Sequence, residues 1–452
     1  MEEKPVDGGS GIRTYPENSY YWMYDGDPTL LLGGSPTDNL SQHVGNPDID
    51  VEGALDALAE AGGNYVRHTM QSRVNDEEAS FIVQPFGRSD DGRFDLESWN
   101  DEYWDRFERV LEWTAERDIV MQVTLWDRFD FADHYNDNWR RYNAWNPANN
   151  DTYTTGETGL PIEWPGHPAR FVHRFMLAPE DDNDTLLDYQ ERYVARVLES
   201  TFEYDHVLYN VSNETRAPKS WGDYWAEFVH ERASRAAAEP VYVTQMYDEW
   251  DITDPMHDRT HEDPATYDYV DVSQNNQIAG QRHFDNLVTV RDEFRERPWP
   301  LNNVKCYGAD SGSFGTTRDG LERFWRSIFG GSASIRFHRP DHGLGIGDTA
   351  RTHIRAAREV TDELEMATAD PRPYALVDRT ENEAYCIGDG DTYLVLFTDG
   401  GSVGLDIDVP DSATVAWYDV SAPGWVEEEG AGSVPGRLSP PGEGFWVAAI
   451  RP

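Results

Sequence analysis

The sequence predicts a (β/α)₈ barrel followed by a small antiparallel β-sandwich, an α/β fold with an all-β appendage. Short apolar, β-branched runs alternate with helical periods between residues 30 and 370, and parallel strands need such helical crossovers. From residue 371 the helical period disappears, and short strands separated by Gly, Asp and Pro turns follow closely on one another. A doubly wound open sheet is the rival fold, but the Gly-rich phosphate turn expected after its first strand is missing.

Eight segments are predicted as the barrel strands. In chain order they are residues 30–34, 65–69, 119–126, 206–212, 241–245, 269–273, 304–308 and 333–337. Helical periods fall between or after them at residues 101–117, 185–202, 221–238, 284–297, 321–329 and 349–367. A closed barrel is the commonest arrangement of eight such units.

The chain divides into three predicted regions. Residues 1–29 form an N-terminal extension with a hairpin at Asp25-Gly26, and residues 20–24 are expected to cover the bottom of the barrel or to pair with the sandwich. Residues 30–370 form the barrel, and 371–452 the sandwich, with strands at 374–377, 384–387, 393–397, 405–409, 415–418 and 445–450. Residues 127–180, after the third strand, form an unusually long loop rich in aromatic residues. Loops of this length are often functional, so we interpret it as a wall or lid.

The charge balance excludes two classes of partner. The chain has 84 acidic and 38 basic residues, a net charge of −46, and its only lysines are Lys4, Lys219 and Lys305. Such a chain repels nucleic acid and anionic membranes. Because the acidic residues are spread through periodic segments, they indicate a salt-adapted surface that resembles proteins of extreme halophiles.

Nothing in the sequence requires a cofactor or a metal. Cys306 and Cys386 have no metal-ligand or redox spacing, and both are expected to be buried free thiols. No apolar segment resembles a signal peptide or a membrane span, which favours a cytoplasmic location and leaves a secreted form open. The oligomeric state cannot be read from the sequence.

Candidate site residues lie where each predicted barrel strand ends, because barrel sites form at the carboxyl ends of the strands. Glu214 and Asp310 end the fourth and seventh strands, which face each other across a barrel. Two carboxyl groups on either side of a glycosidic bond are what its hydrolysis requires. The predicted substrate-binding residues are Asp38, Arg67, His68, Trp126, Asn213, Tyr247, Gln274, Tyr307 and His338.

Asn213-Glu214 after the fourth strand resembles the acid/base motif of the large retaining clan of barrel glycosidases. The resemblance implies that Asn213 binds the sugar 2-hydroxyl, that Glu214 is the acid/base, and that Arg67 supports the nucleophile. The stretch from Tyr24-Asp25-Gly26-Asp27-Pro28 to Gly33-Gly34 is similar to the opening of the apiosidase-like family, as are the barrel-plus-sandwich layout and Trp417-Tyr418-Asp419 with Pro423-Gly424. It implies a retaining hydrolase acting on a plant- or microbe-derived glycan.

One departure keeps other interpretations open. The clan's nucleophile is usually Glu at the end of strand seven, where this chain has Asp310. A wider gap between the two carboxylates would mean inversion, and Asp127, Glu249 or Asp341 are the alternatives to Asp310. A non-catalytic carbohydrate-binding barrel and a barrel enzyme of another chemistry, such as a lyase or a metal hydrolase, are the rival functions.

Overall fold

The computed structural model describes residues 10–71, 80–134, 137–168, 170–310, 312, 314–379, 384–408, 410, 412–426 and 436–452. Eight parallel strands form the central sheet, in agreement with the predicted fold class. They are Leu31–Gly34, Tyr65–Thr69, Val120–Asp127, Val207–Asn213, Val243–Thr244, Val270–Asp271, Leu301–Cys306 and Ser334–Phe337. Strand eight pairs with strand one, with Ser334 opposite Leu31, and this pairing joins the two halves of the sheet.

The barrel closes between strands five and six, which are only two residues long each. The backbone N–H of Asp268 donates to the carbonyl of Val243 at 3.0 Å. The hydroxyl of Thr244 donates to the carbonyl of Tyr269 at 2.7 Å. Strand five was predicted to span residues 241–245 and strand six 269–273, so apolar composition overestimated both.

Helices cover the outside of the barrel, because each has one apolar face that needs burial. The long ones are Val51–Glu60, Asp101–Ala115, Asp184–Thr201, Lys219–Ala236, Gly280–Glu293, Thr317–Phe329 and Asp348–Thr361. Short helices at Leu40–His43 and Asp258–His261 follow strands one and five, and a hairpin, Phe86–Arg88 with Phe94–Trp99, precedes the helix Asp101–Ala115. No helix among these described residues is long and apolar enough to cross a membrane.

The N-terminal region closes the amino end of the barrel. Strands Ile12–Thr14, Trp22–Tyr24 and Asp27–Thr29 form a small antiparallel sheet, with Asp25 and Gly26 in the left-handed conformation that a tight hairpin turn needs. The Trp22 indole N–H donates to Asn302 Oδ1, near the start of strand seven, at 2.8 Å. Of the two roles predicted for residues 20–24, Trp22 therefore covers the bottom of the barrel and, within the described chain, does not pair with the sandwich.

The long segment after strand three carries only short elements before the helix Asp184–Thr201. They are Arg128–Phe131, Asn138–Arg141, Thr155–Thr158 and Arg174–Leu177. Asparagine side chains hold this segment together, since the Asn146 amide donates to the carbonyls of Trp139 and Ile162 at 2.9 and 2.8 Å. The segment is thus internally bonded above one side of the barrel.

The C-terminal region consists of two antiparallel sheets. The larger sheet runs in the order Asp370–Pro371, Ala384–Gly388, Tyr393–Phe397, Trp446–Arg451, Thr414–Asp419 and Gly424–Val426. The smaller contains Leu376–Val377, Val403–Leu405 and Arg437–Leu438. Apolar residues of both sheets form one core, and Phe445 and Tyr385 pack on His353 and Phe284 of the barrel helices. The predicted strand 405–409 instead ends at Leu405, and Val409 lies outside the described residues.

Candidate active site

A cavity of about 970 Å³ opens at the carboxyl ends of the barrel strands. Its floor is formed by residues that end or follow the strands, and one wall comes from the segment after strand three. Cavities of roughly 300–1,000 Å³ are typical of small-molecule sites, so this one has room for a ligand of several rings.

Glu214 projects into the cavity directly after strand four. Its backbone has φ of 47°, a left-handed conformation that non-glycine residues adopt rarely and mostly where surrounding contacts enforce it. Those contacts are the hydrogen bonds from Thr215 N–H to the carbonyl of Met246, at 2.8 Å, and from Asp248 N–H to the carbonyl of Thr215, at 2.9 Å. The ends of strands four and five are thereby joined, and both present acidic residues to the cavity.

Two cations contact the Glu214 carboxylate. Lys305 Nζ donates to Oε1, and a terminal nitrogen of Arg128 lies 3.4 Å from Oε2. Arg128 also pairs with Asp248 at 2.7 Å, and Arg216 pairs with the same Asp248 oxygen at 2.8 Å. One guanidinium thus bridges two carboxylates, which fixes them on the same side of the cavity.

Arg67, at the third position of strand two, connects the end of strand four to Asp38. It donates to Asn213 Oδ1 at 2.8 Å, and it lies 3.8 Å from Asp38. The Asn213 amide donates in turn to Asp127 Oδ1 at 3.2 Å. Asn213 is fully buried beneath Glu214 and is not itself part of the cavity lining.

Asp38 lies at the centre of a second ion-pair network. It accepts from Arg336 at 2.9 Å and from Arg339 at 2.6 Å. Burial alone raises the pKa of Asp38, but its interactions with His338 and with the guanidinium groups of Arg336, Arg67 and Arg339 outweigh burial and hold the pKa well below its usual range. Asp38 is therefore a fixed anion, and a proton donor must be sought elsewhere in the cavity.

Strand seven presents a lysine to the cavity in the place where the resemblance implied a carboxylate. The Lys305 side chain is 3% exposed and meets Glu214, whereas the Cys306 sulfur points outward and donates to the carbonyl of Gly320 at 3.1 Å. Burial lowers the pKa of Lys305 to about 8, although the adjacent Glu214 carboxylate opposes this shift. Lys305 was missed because strand seven was predicted to span residues 304–308, which places Lys305 near its start, whereas the strand is Leu301–Cys306 and Lys305 lies near its carboxyl end.

Asp310 lies elsewhere, which corrects its predicted place opposite Glu214. Gly308 has φ of 122°, and a side chain there would collide with the backbone of Gly320, so the chain turns towards the helix Thr317–Phe329. Asp310 is exposed, accepts a hydrogen bond from Thr317 N–H at 3.0 Å and does not line the cavity. It stabilises a helix start.

Four other predicted substrate-binding residues also face away from the cavity. His68 stacks on Phe107 of a covering helix, and burial lowers its pKa to about 3. Trp126 is fully buried among aromatic side chains of the helix layer. Tyr247 and Gln274 are buried as well and do not line the cavity. His68 and Trp126 lie within strands, where alternation directs their side chains to the outer face, whereas Tyr247 and Gln274 follow strands five and six.

Asp38, Arg67, Glu214, Tyr307 and His338 are the predicted site residues that the structure brings together around the cavity. The Tyr307 ring stacks on Phe314 with centroids 4.6 Å apart and meets the His338 ring edge-on. Together with Phe129 and Trp250, Tyr307 and Phe314 give the cavity flat apolar faces, which suit sugar rings. Within the described ranges, no group of three or more His, Cys, Asp or Glu side chains could hold a metal ion.

The fold and the cavity define a (β/α)₈ barrel with a carboxylate-containing site at the carboxyl ends of its strands. No protein-family model matches the sequence, and no curated protein matches it. Among solved structures, a glycoside hydrolase family 5 protein from Bacteroides vulgatus matches with a TM-score of 0.61 and 12% identity, over 98% of this chain and 93% of that one.

Two further structures are similar. A putative glycoside hydrolase from Bacteroides vulgatus has a TM-score of 0.61 and 13% identity, over 99% of this chain and 83% of that one. A glycoside hydrolase family 5 mannosidase from Rhizomucor miehei has a TM-score of 0.53 and 14% identity, over 78% and 99%. At these identities the likeness shows a shared fold, and the narrower apiosidase-like resemblance stays a prediction.

Proposed function

We propose that this protein is a glycoside hydrolase in which Glu214 passes a proton to the departing glycosidic oxygen. The observation that carries the proposal is the placement of Glu214. It ends strand four in a strained backbone conformation, stands on the buried Asn213, and projects into a cavity with aromatic faces. Hydrolases that share this fold support the same conclusion by analogy.

The proton is held by the Glu214–Lys305 pair. Two cations beside Glu214 favour its ionised form, so in the resting site the proton resides on Lys305 Nζ. When a glycan fills the cavity and excludes water, Lys305 protonates Glu214, and Glu214 protonates the leaving oxygen as the C–O bond breaks. A lysine whose pKa is lowered to about 8 suits such a relay near neutral pH.

Glu249 is the proposed base. It lines the cavity beside the end of strand five and, within the described chain, forms no ion pair, whereas Asp38, Asp248 and Asp341 are each paired with arginine. A carboxylate that is not held by arginine can take the proton of an attacking water. Hydrolysis by direct water attack inverts the anomeric configuration.

The test combines product stereochemistry with three matched variants. Proton NMR of the first product formed should show the anomer opposite to that of the substrate. Glu214→Gln and Glu249→Gln should each lower kcat by about 10²–10⁴-fold, since each removes a general acid or base. Asp310→Asn, which removes an exposed carboxylate outside the cavity, should retain activity within about twofold. Full activity in Glu214→Gln would refute the proposal, and retention of configuration would refute only the role of Glu249.

A second candidate, a carbohydrate-binding barrel without catalysis, is favoured by one observation. The ion pair with Lys305 neutralises the Glu214 carboxylate, and strand seven contributes a lysine to this pair where a second carboxylate was expected. Glycan binding that is unchanged in Glu214→Gln, with no turnover by the wild-type protein, would support this alternative.

A further inference from the structure

The cavity differs in charge from the rest of the chain. The whole sequence has more than two acidic residues for each basic one, with 84 against 38. The cavity lining contains six Arg or Lys side chains and six Asp or Glu side chains. A neutral lining inside a protein of net charge −46 means that positive groups have been concentrated at the site.

Most of the acidic groups in the lining are already neutralised by their neighbours. Asp38 is held by Arg336 and Arg339, and Asp248 is held by Arg128 and Arg216. A ligand entering the cavity therefore meets few uncompensated carboxylates.

A positive group, Arg170, remains on the wall that the segment after strand three contributes. In the described parts of the chain, the exposed guanidinium of Arg170 meets no carboxylate. His167 lies beside it, and the pKa of His167 is lowered by partial burial and by the nearby charges of His134, Arg170 and Arg128. Asp248 is a neighbouring charge that opposes this shift.

Arg216, which follows strand four, adds donors near this wall, because the Asp248 that it holds acts electrostatically on His167. Its Nε and one terminal nitrogen bond the side chain and the carbonyl of Asp248, both at 2.8 Å, and its side chain is 36% exposed. A guanidinium offers five N–H groups, so Arg216 keeps donors that can reach a ligand.

We propose that the wall formed by His167, Arg170 and Arg216 binds an anionic group of the glycan, a carboxylate or a sulfate ester. The inference rests on the proposed function, because it takes the rings of the ligand to lie against Tyr307, Phe314 and Phe129. Arginine binds planar or tetrahedral oxyanions through paired N–H groups, which makes a charged sugar a better ligand than its neutral analogue.

The experiment measures binding of two matched ligand pairs by isothermal titration calorimetry. One pair is a short oligogalacturonide and its methyl ester, and the other is a sulfated galacto-oligosaccharide and its desulfated form. The charged member of one pair should bind at least about tenfold more tightly than its neutral partner. The pair with the larger preference identifies the anion.

Two arginine variants test the assignment. Arg170→Gln should reduce the preference to within about threefold, whereas Arg174→Gln, which removes an exposed arginine of the same segment that pairs with Asp181 outside the cavity, should preserve it. Equal binding of charged and neutral members, or a full preference in Arg170→Gln, overturns the inference. Hydrolysis of neutral glycans without charge preference overturns only this inference. A preserved charge preference without hydrolysis of any glycan overturns only the proposed function.

Discussion

Replacing Asp38 by Asn tests how far the site depends on its buried ion pairs. Asp38 follows strand one, and its carboxylate accepts from Arg336 at 2.9 Å and from Arg339 at 2.6 Å, with Arg67 at 3.8 Å. Arg67 and Arg336 have side chains that are 1% and 0% exposed. The amide keeps the size of the carboxylate, so Asp38→Asn removes charge with little change in packing.

The loss of one partner from a buried ion pair costs about 3–5 kcal/mol, because the remaining charge is left without compensation. Two fully buried arginines depend on Asp38, so we expect a cost in this range. In a chain of this size that corresponds to a fall in Tm of roughly 3–5 °C.

Thermal unfolding followed by circular dichroism at constant high salt measures the effect. Asp56→Asn is the matched control, because Asp56 is 56% exposed and pairs with Arg117 at 2.7 Å on the surface. Exposed pairs contribute about 0–1 kcal/mol, so its Tm should fall by less than about 2 °C. Equal shifts in the two variants would refute the argument that the Asp38 network requires its central charge.

Three further outcomes are expected. The kcat/KM of the wild-type protein should fall as pH rises through about 8, where Lys305 loses its proton. In Lys305→Met this decline should be absent, and kcat/KM should be about 10²-fold lower. A flat wild-type profile up to about pH 10 would contradict the relay. Burial lowers the pKa of His206 to about 4 and of His173 to about 3. As pH falls from about 6.5 to 5, the unfolded chain therefore binds protons before the folded protein does, and Tm should decline. An unchanged Tm would argue against buried neutral histidines. Lowering KCl from about 2 M to 0.1 M weakens screening and lengthens the Debye length to about 10 Å, so repulsion among the 84 acidic residues should lower Tm. A Tm that stays constant would remove the halophilic interpretation.

The barrel could be predicted because its two periodicities are long and regular. Short apolar runs and helical periods alternate between residues 30 and 370. The main errors in the barrel strands were the lengths of strands five and six and the start of strand seven, which lies at Leu301 and was predicted at residue 304. Between strands five and six, the regular ladder of backbone hydrogen bonds is replaced in part by one backbone bond from Asp268 and one side-chain bond from Thr244, which shortens both strands. Composition alone does not reveal such a substitution.

The site was predicted only in part, because position at the strand ends was used without the alternation of side chains along each strand. Position near or after the end of a strand correctly selected Asp38, Arg67 and Glu214. The same rule selected His68 and Trp126, which directly neighbour Arg67 and Asp127 but point into the helix layer. Adjacent residues of a strand face opposite sides, so only one residue of each such pair can enter the cavity.

Side-chain alternation has its largest consequence for the chemistry on strand seven. Cys306 contacts the carbonyl of Gly320 in the covering helix, and alternation then directs Lys305 to the barrel interior. One of only three lysines in the chain thus meets the strand-four carboxylate directly. An ammonium group cannot act as the nucleophile that a carboxylate on this strand would provide. In the proposed mechanism the contact therefore supplies a proton to Glu214, and water attacks directly. Under this proposal, the stereochemistry of the product depends on which face of strand seven carries Lys305.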